Sequence, residues 1–229
     1  CTLDKVTGLL WEVRVDDPNS FRDMHLRDTN LRPDQSGYGS ATDTKGYVDR
    51  VNTAGLCSAT DWRLPTSREL MGLSNLGRAH PKLSVDPDFL PNTMPGPYWT
   101  STQYIERNAD AWYVMAEVGQ MFPDGRLGKF FVRLVRATGV GANPRYTPNA
   151  AGDEITDNET GLIWRRCTEG QNWNGGTCNG NSISVNWEGA LARAQAAGGG
   201  WRLPNAKELA TLIDPTQANP AIDPVAFPR

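Results

Sequence analysis

The sequence predicts two copies of one module in which short helices are combined with strands. A pentad with the sequence Trp-Arg-Leu-Pro-Thr at residues 62–66 occurs again, with Asn in the last position, at residues 201–205. Residues 4–11 (DKVTGLLW) lie upstream of the first pentad, and the similar residues 157–164 (DNETGLIW) lie upstream of the second. Residues kept in both copies are expected to form the framework of the module.

The first module opens with a predicted strand and a long polar loop. In residues 9–15 apolar side chains recur at every second position, which is the period of a strand with one buried face. Residues 16–45 are rich in Asp, Asn, Arg and Gly and lack periodicity, and loops of this length are usually functional or disordered. A short helix is expected over residues 44–54, and its counterpart over residues 187–197 is richer in alanine.

Each pentad is followed by the start signal of a second helix. Thr66 and Glu69 have the spacing of a capping box, in which each side chain bonds the other residue's free backbone N–H, and Asn205 and Glu208 repeat it. The Trp and Leu of the pentad are expected to anchor the segment in the core, and its Pro ends the preceding structure. The predicted framework residues are Trp11, Trp62, Pro65, Glu69, Trp164, Trp201, Pro204 and Glu208.

A strand-rich half follows in the first module alone. Residues 98–102, 111–118 and 129–136 are predicted strands, with a turn at residues 119–120. The second module has no counterpart of this half. We therefore expect a complete module over residues 1–138, a linker over 139–153, and the N-terminal half of a module over 154–229. Either the chain is trimmed, or another polypeptide completes the second module.

Composition excludes several classes of protein. A hydrophobic content of 38% with eight Trp is enough to build cores. The net charge of −3 argues against a nucleic-acid partner, because phosphate binding needs a concentrated basic face. No stretch approaches about 18 consecutive apolar residues, so no membrane span is predicted.

The four cysteines indicate two disulfides and an oxidising compartment. Four Cys permit three pairings, and the pairing that respects the modules is Cys1–Cys57 with Cys167–Cys178. Cys1 could instead be a lipidated N-terminus, although a disulfide is favoured. Without a Cys-x-x-Cys motif or clustered His, zinc is not expected. The predicted location is therefore secreted or cell surface, in the periplasm or outside the cell.

The combined motifs resemble the Lcl C-terminal domain family, and the match touches almost the whole chain. The residues that carry the resemblance are 7–11 (TGLLW), 61–70 (DWRLPTSREL), 98–102 (YWTST), 111–114 (AWYV), 132–136 (VRLVR), and in the second module 160–164, the Cys167–Cys178 loop and 201–209. Many relatives have a Cys in the last strand where this chain has Leu134.

The resemblance implies a compact α+β fold related to C-type-lectin-like and formylglycine-generating-enzyme-like domains. Two short helices are then expected to pack on a small, mainly antiparallel sheet. One member of the family is the terminal domain of a bacterial collagen-like surface adhesin that binds sulfated glycosaminoglycans. The family thus indicates fold more strongly than function.

Neither catalysis nor a cofactor is predicted. Nucleophilic hydrolysis needs a Ser or Cys beside a His base, and the chain has only two His. The Cys are better assigned to disulfides. Asp16, Asp17 and Asp23 are candidate calcium ligands, since Ca²⁺ prefers hard oxygen donors in flexible loops, and such a calcium would be structural. The same Asp-rich loop is more often simply a solvated loop.

Binding of a carbohydrate or polyanion is the favoured hypothesis. Sugars are bound by aromatic faces beside hydrogen-bonding groups, and sulfate adds a need for Arg or Lys. The candidate ligand-binding residues are Arg126, Lys129, Phe131 and Arg133 near the last strand, and Tyr104 and Arg107 beside Trp112. Alternatively, Arg133 and Arg136 form internal ion pairs with Glu12, Glu69 or Asp86.

Two functions are therefore expected from the sequence. The first is extracellular recognition or adhesion through a glycan or sulfated polysaccharide. The alternative is a structural subunit of an extracellular filament or surface assembly, which self-associates or whose second module is completed by a partner chain through strand addition.

Overall fold

The computed structural model describes residues 1–78, 83–137, 144–215, 217–218 and 220–228. The chain forms two compact units, residues 1–140 and residues 141–229, which we call the first and second units. Both mix short helices with small antiparallel sheets, as the predicted α+β class requires. His80 and the first five residues of the predicted linker, 139–143, fall outside the described residues.

The first unit contains six strands and two α-helices among its described residues. They are β1 (Thr2–Leu3), β2 (Leu9–Trp11), α1 (Thr44–Thr53), α2 (Ser67–Gly72), β3 (Pro97–Gln103), β4 (Asp110–Met115), β5 (Gln120–Gly125) and β6 (Val135–Ala137). One antiparallel sheet has the order β1-β2-β6, and the other has the order β3-β4-β5. The first and last strands of the unit are thus joined through β2.

Both helices of the first unit begin at side-chain caps. Asp43 accepts a hydrogen bond from the backbone N–H of Lys45 at the start of α1. Thr66 and Glu69 form the predicted capping box of α2, and Arg63 donates to Glu69 across 2.6 Å. Because these contacts link residues only a few positions apart, the sequence alone could predict them.

The segment 130–135 lies between two hydrophobic clusters. Phe131 and Val135 belong to one cluster, which also contains Trp11, whereas Val132 and Leu134 belong to the other. Both faces of the segment are therefore buried, rather than one face being exposed. The predicted strand over residues 129–136 is wrong in its extent, because Phe131 forms only an isolated bridge to Tyr98 and regular pairing starts at Val135.

Other predicted strands were also too long. The strand predicted over residues 9–15 ends at Trp11, and Val15 instead makes an isolated bridge to Asp23. The strand predicted over residues 111–118 ends at Met115, because the chain turns there and returns as β5, which the sequence did not predict. In residues 9–15 the alternation of apolar residues thus continues past the point at which the ladder stops.

The second unit contains five strands and two α-helices in its described part. They are β7 (Tyr146–Pro148), β8 (Glu154–Asp157), β9 (Ile163–Arg165), β10 (Asn172–Trp173), β11 (Cys178–Asn179), α3 (Trp187–Ala197) and α4 (Ala206–Ala210). One sheet has the order β7-β8-β9, and β10 pairs with β11. β7, which lies within the segment 139–153 predicted as a linker, pairs with β8. No helix in the described ranges is long and apolar enough to cross a membrane.

The repeated framework has the same local form in the second unit. Asn205 and Glu208 form a capping box like that of α2, and Arg202 donates to Glu208 across 2.5 Å. The Thr-Gly turn is also repeated, since Gly8 and Gly161 both have a φ of 71°, which favours glycine. The prediction of a tandem framework is therefore confirmed at the level of local structure.

Both predicted disulfides are present. Cys1 is bonded to Cys57 in the first unit, and Cys167 is bonded to Cys178 in the second. Among the described residues no cysteine is free. Disulfides persist in oxidising compartments, and this pair suits a secreted or extracellular protein.

Loss of either disulfide is expected to destabilise its own unit. A disulfide restricts the unfolded chain, so its removal typically costs about 2–4 kcal/mol. The double substitutions Cys1→Ser with Cys57→Ser, and Cys167→Ser with Cys178→Ser, separate the two effects. Urea unfolding of each variant without reductant should show one transition shifted and the other retained; equal shifts in both units would contradict this assignment.

Candidate functional site

The structure separates the ligand-binding residues predicted near the last strand. Phe131 and Arg133 are both 2% exposed and so cannot contact a large ligand. Arg133 donates to the backbone oxygen of Glu12 across 2.7 Å and to the hydroxyl of Thr93 across 2.9 Å. Burial lowers the pKa of Arg133. The prediction of a basic face on this strand was wrong, because the segment crosses the core.

The predicted internal role of the two arginines is correct in part. Arg136 forms an ion pair with Asp61 across 2.6 Å, whereas Glu69 and Asp86 instead face Arg63 and Arg78. Arg133 contacts the main-chain oxygen of Glu12 and makes no ion pair with its carboxylate. The predicted carboxylate partners Glu69 and Asp86 are thus paired with other arginines, which the strand pattern could not show.

The second predicted group lies on the surface and is already paired. The ring of Tyr104 packs edge-on against Trp112, with 5.2 Å between centroids, and its hydroxyl donates to Glu106 across 2.5 Å. Arg107 forms an ion pair with Asp110 across 2.5 Å. A ligand would have to displace these contacts.

Another surface of the first unit, away from the predicted residues of the last strand, contains several cations, amide side chains and one aromatic ring. It is an open groove of about 530 Å³ between the 30–34 loop, α1, the pentad and the end of β3, and we call it the basic groove. Its lining residues are Asn30, Leu31, Arg32, Pro33, Asp34, Tyr38, Thr44, Lys45, Val48, Arg63, Leu64, Ser101, Gln103, Asn108 and Arg126. Of the predicted ligand-binding residues, Arg126 alone lies in this groove.

Asp43 organises the loop that forms one wall of the basic groove. Its carboxylate is fully buried and accepts hydrogen bonds from the backbone N–H groups of Leu31, Gly39 and Lys45 at 2.9, 2.9 and 3.2 Å. Because one side chain ties three points of the loop together, the polar segment holds a defined shape without regular secondary structure. The long loop that the sequence predicted is therefore ordered by a few buried polar contacts.

Arg126 lies at the base of this groove with an incomplete set of partners. One of its terminal nitrogens donates to the backbone oxygen of Asn30 across 3.1 Å, and Asn30 in turn is held by Thr100 and Thr44. The side chain is only 8% exposed, yet its Nε finds no hydrogen-bond partner in the described residues. This nitrogen is itself buried, so a ligand in the groove would meet the charge of the Arg126 guanidinium rather than its Nε.

The charges around Arg126 also favour an anion. Burial lowers the pKa of Arg126, and the neighbouring Arg32 lowers it further, whereas Asp110 acts in the opposite direction. Arg32 itself forms an ion pair with Asp34 across 2.8 Å, and the carboxylate of Asp34 is mostly exposed. Two cations therefore meet at one end of the groove with one exposed carboxylate beside them.

Lys45 and Arg63 extend the positive charge along the groove. Lys45 pairs with Asp49 one turn further along α1, and Arg63 pairs with Glu69, which raises the pKa of each cation. Both cations remain substantially exposed. Arg63 belongs to the repeated pentad, so this framework segment also contributes to the surface of the groove.

The candidate calcium ligands come together only in part. Carboxylate oxygens of Asp16 and Asp23 and a ring nitrogen of His25 lie within 4.8 Å of one another, without Asp17. The backbone N–H of Asp17 donates to Asp23 across 2.9 Å, and His25 contacts Asp23 across 3.0 Å. Asp23 is thus engaged by its own loop, and calcium binding stays a prediction.

Most residues of the basic groove were missed by the sequence patterns. The long polar loop contains or borders three of them, Asn30, Arg32 and Lys45. Its composition is the same as that of an ordinary solvated loop, so it did not indicate a binding site. Gln103 comes from the end of β3, far away along the chain. A useful signal was the pentad Arg63, which precedes the capping box of α2 and is held by its Glu69.

The comparison with known families agrees with this architecture. The model of the Lcl C-terminal domain matches residues 1–136 and 153–229. No curated protein matches the chain significantly. The two matched segments correspond to the two copies of the pentad frame. The chain therefore belongs to the Lcl C-terminal domain family, with its two matched segments arranged in tandem.

Proposed function

We propose that the first unit is an extracellular recognition module whose basic groove binds an acidic glycan, such as a sulfated polysaccharide. The observation that carries this proposal is the pair Arg126 and Arg32, two neighbouring cations that both line the groove. A sulfate or carboxylate group would relieve the repulsion between the two cations.

The remaining lining of the groove suits a sugar. Gln103, Asn108 and Ser101 offer amides and a hydroxyl for ring hydroxyl groups, and Tyr38 offers an exposed aromatic face. The groove is open along its length, which suits a polymer that passes through it rather than a small enclosed ligand. Adhesion through such a polymer is a non-enzymatic role, and the two disulfides support a location outside the cytoplasm.

Binding to a sulfated polysaccharide tests this proposal. The variants Lys45→Gln and Lys129→Gln are matched, because both remove one exposed lysine charge from the first unit and only Lys45 lines the groove. In calorimetry with heparin, Lys45→Gln is expected to weaken binding about threefold to tenfold, whereas Lys129→Gln should leave it nearly unchanged. The opposite order would move the site to the last strand and contradict the proposal.

Salt dependence provides a second check. Because exposed ion pairs are screened by added salt, the affinity for heparin is expected to fall steadily between about 50 mM and 300 mM NaCl. Arg32→Gln should reduce the slope of this fall, since one fewer cation then contacts the polymer. Binding that does not change with salt would exclude an anionic ligand in this groove.

A further inference from the structure

Three aspartates of the long polar loop are buried, and one of them differs from the other two. Asp23, Asp28 and Asp43 are each at most 4% exposed. The carboxylate of Asp43 accepts three backbone hydrogen bonds. That of Asp23 accepts from the backbone N–H groups of Asp17 and His25, both across 2.9 Å. The carboxylate of Asp28 has no hydrogen-bond donor among the described residues.

The main chain fixes Asp28 in its buried position. Its backbone N–H donates to Phe130 O across 2.9 Å, and its backbone oxygen accepts from Phe130 N across 3.1 Å. The same oxygen accepts from the indole N–H of Trp99 across 2.9 Å. Trp99 is fully buried, and the ring of Phe130 stacks on it with 4.3 Å between centroids. Because both neighbours belong to the packed interior, a small movement of Asp28 would not bring its carboxylate into water.

The charges nearest to Asp28 do not offset its burial. Burial raises the pKa of Asp28 to about 6, because the ionised form loses its hydration. The charged groups that face it are Arg14, Arg50 and Lys129, which favour the ionised form, and Asp43, which opposes it. The guanidinium of Arg14 donates instead to three backbone oxygens. Asp28 is therefore a buried acid that titrates close to neutral pH.

The ionisation of Asp28 couples the stability of the first unit to pH. A buried carboxylate without donors destabilises the fold when it is charged, and less so when it is neutral. The pKa of Asp28 in the folded chain, about 6, lies above the ordinary value of 3.8. The stability that Asp28 contributes is thus fully present below about pH 3.8 and is lost as pH rises through about 6. For this group alone, the folding equilibrium constant is about tenfold larger at about pH 5 than at about pH 7.5.

The segment that contains Asp28 also forms a wall of the basic groove. Two residues further along, the backbone N–H of Asn30 donates to Arg126 O across 2.9 Å, and its side-chain amide donates to Thr100 O across 3.0 Å. Arg126 donates back to Asn30 O across 3.1 Å, and both residues line the groove. A negative charge on Asp28 therefore disturbs the segment that positions Arg126, and it also reduces the attraction of the groove for an anion.

We propose that Asp28 makes the first unit responsive to acid, so that its protonation stabilises the fold and strengthens the binding of an anionic polymer in the basic groove. The effect on stability depends only on the buried site of Asp28. The effect on binding rests on the glycan function proposed above. The direction is the same for both, because the neutral carboxyl suits the buried site and leaves the groove more positive.

Urea unfolding as a function of pH tests the effect on stability. Asp28→Asn keeps the shape of the neutral carboxyl and cannot ionise. The ratio of the folding constants of the first unit at about pH 5 and about pH 7.5 is expected to be about tenfold larger in the wild type than in this variant. Asp88→Asn, at an exposed aspartate of the same unit, should leave the ratio at its wild-type value. Equal ratios for the wild type and Asp28→Asn would overturn the proposal.

Histidine titrates in the same pH range and needs its own control. His25 lies in the same loop and contacts Asp23 across 3.0 Å. Introducing Asp28→Asn into a His25→Gln background should change the ratio by the same factor of about ten, because the two side chains act separately. Loss of this factor in the His25→Gln background would assign the pH dependence to His25 and overturn the proposal.

A direct titration of the wild type covers the case in which Asp28→Asn does not fold. The ¹³C chemical shift of the Asp28 carboxyl carbon, followed by NMR, is expected to have its midpoint at about pH 6. A midpoint close to the ordinary value of 3.8 would overturn the proposal, whatever the behaviour of the variants.

Calorimetry with heparin at fixed salt tests the effect on binding. The affinity of the wild type is expected to be about twofold to fivefold higher at about pH 5 than at about pH 7.5, and Asp28→Asn should lose most of this difference. The same pH dependence in the variant would overturn the effect on binding. Absence of heparin binding at both pH values would instead overturn the glycan function and this effect with it, while the unfolding ratio and the NMR midpoint would still decide the role of Asp28 in stability.

Discussion

Replacing Trp62 by alanine is expected to lower the free energy of unfolding of the first unit by about 3–5 kcal/mol. Trp62 is almost fully buried in the cluster that contains Trp99 and Leu134. Its indole N–H donates to Leu56 O across 2.9 Å, so the substitution removes a hydrogen bond and leaves a large cavity. Urea unfolding, followed by the fluorescence of the remaining tryptophans, measures the loss.

The repeat provides the matched control for this prediction. Trp201 occupies the same position of the second pentad but is only half-buried. Trp201→Ala is therefore expected to cost about 1 kcal/mol in the second unit, because little cover is lost and water fills the gap. If both substitutions lowered the free energy of unfolding equally, the stability contributed by the pentad Trp would depend on local sequence rather than on burial.

Glu12→Ala is expected to cost about 3–5 kcal/mol in the first unit, because it removes one partner from a buried charged network. The fully buried Glu12 carboxylate accepts from the hydroxyl of Tyr47, from Arg22 across 3.1 Å and from the backbone N–H of Leu134 across 3.1 Å. Without it, three donors lose their acceptor in a region that excludes water. Chemical denaturation again provides the measurement.

An exposed carboxylate of the same unit is the control for Glu12. Glu106 lies on the surface, where it accepts a hydrogen bond from Tyr104. Glu106→Ala is expected to change the free energy of unfolding by less than about 1 kcal/mol. If Glu12→Ala were equally mild, the buried network would not be an important contribution to stability.

The burial of Trp62 could be predicted from the sequence, whereas the buried network around Glu12 could not. The burial of Trp62 was expected, because the pentad repeats and its Trp lies beside a helix start. Glu12 was expected only as one of three possible ion-pair partners of Arg133 and Arg136, and the alternation of the strand placed it on a polar face, so its bonds to Tyr47, Arg22 and Leu134 were not predicted. The side chain is buried because β6 and α1 both pack over it, and its partners come from three distant parts of the chain.

The sequence by itself indicated the tandem repeat, the caps of α2 and α4, the Thr-Gly turns, the favoured disulfide pairing and the family. Each of these depends on residues a few positions apart, or on comparison of the two copies, so no packing information was needed. The caps of α2 and α4, for example, follow from a spacing of three residues.

The tertiary structure decided which side chains reach the surface. Residues 130–135 look like a strand with one basic face, yet they cross between two clusters and bury Arg133. The basic groove joins Arg32, Arg63 and Arg126 from separate segments, and no local pattern relates them. Burial and groove composition depend on contacts between distant parts of the chain, which only the packing of the whole unit establishes.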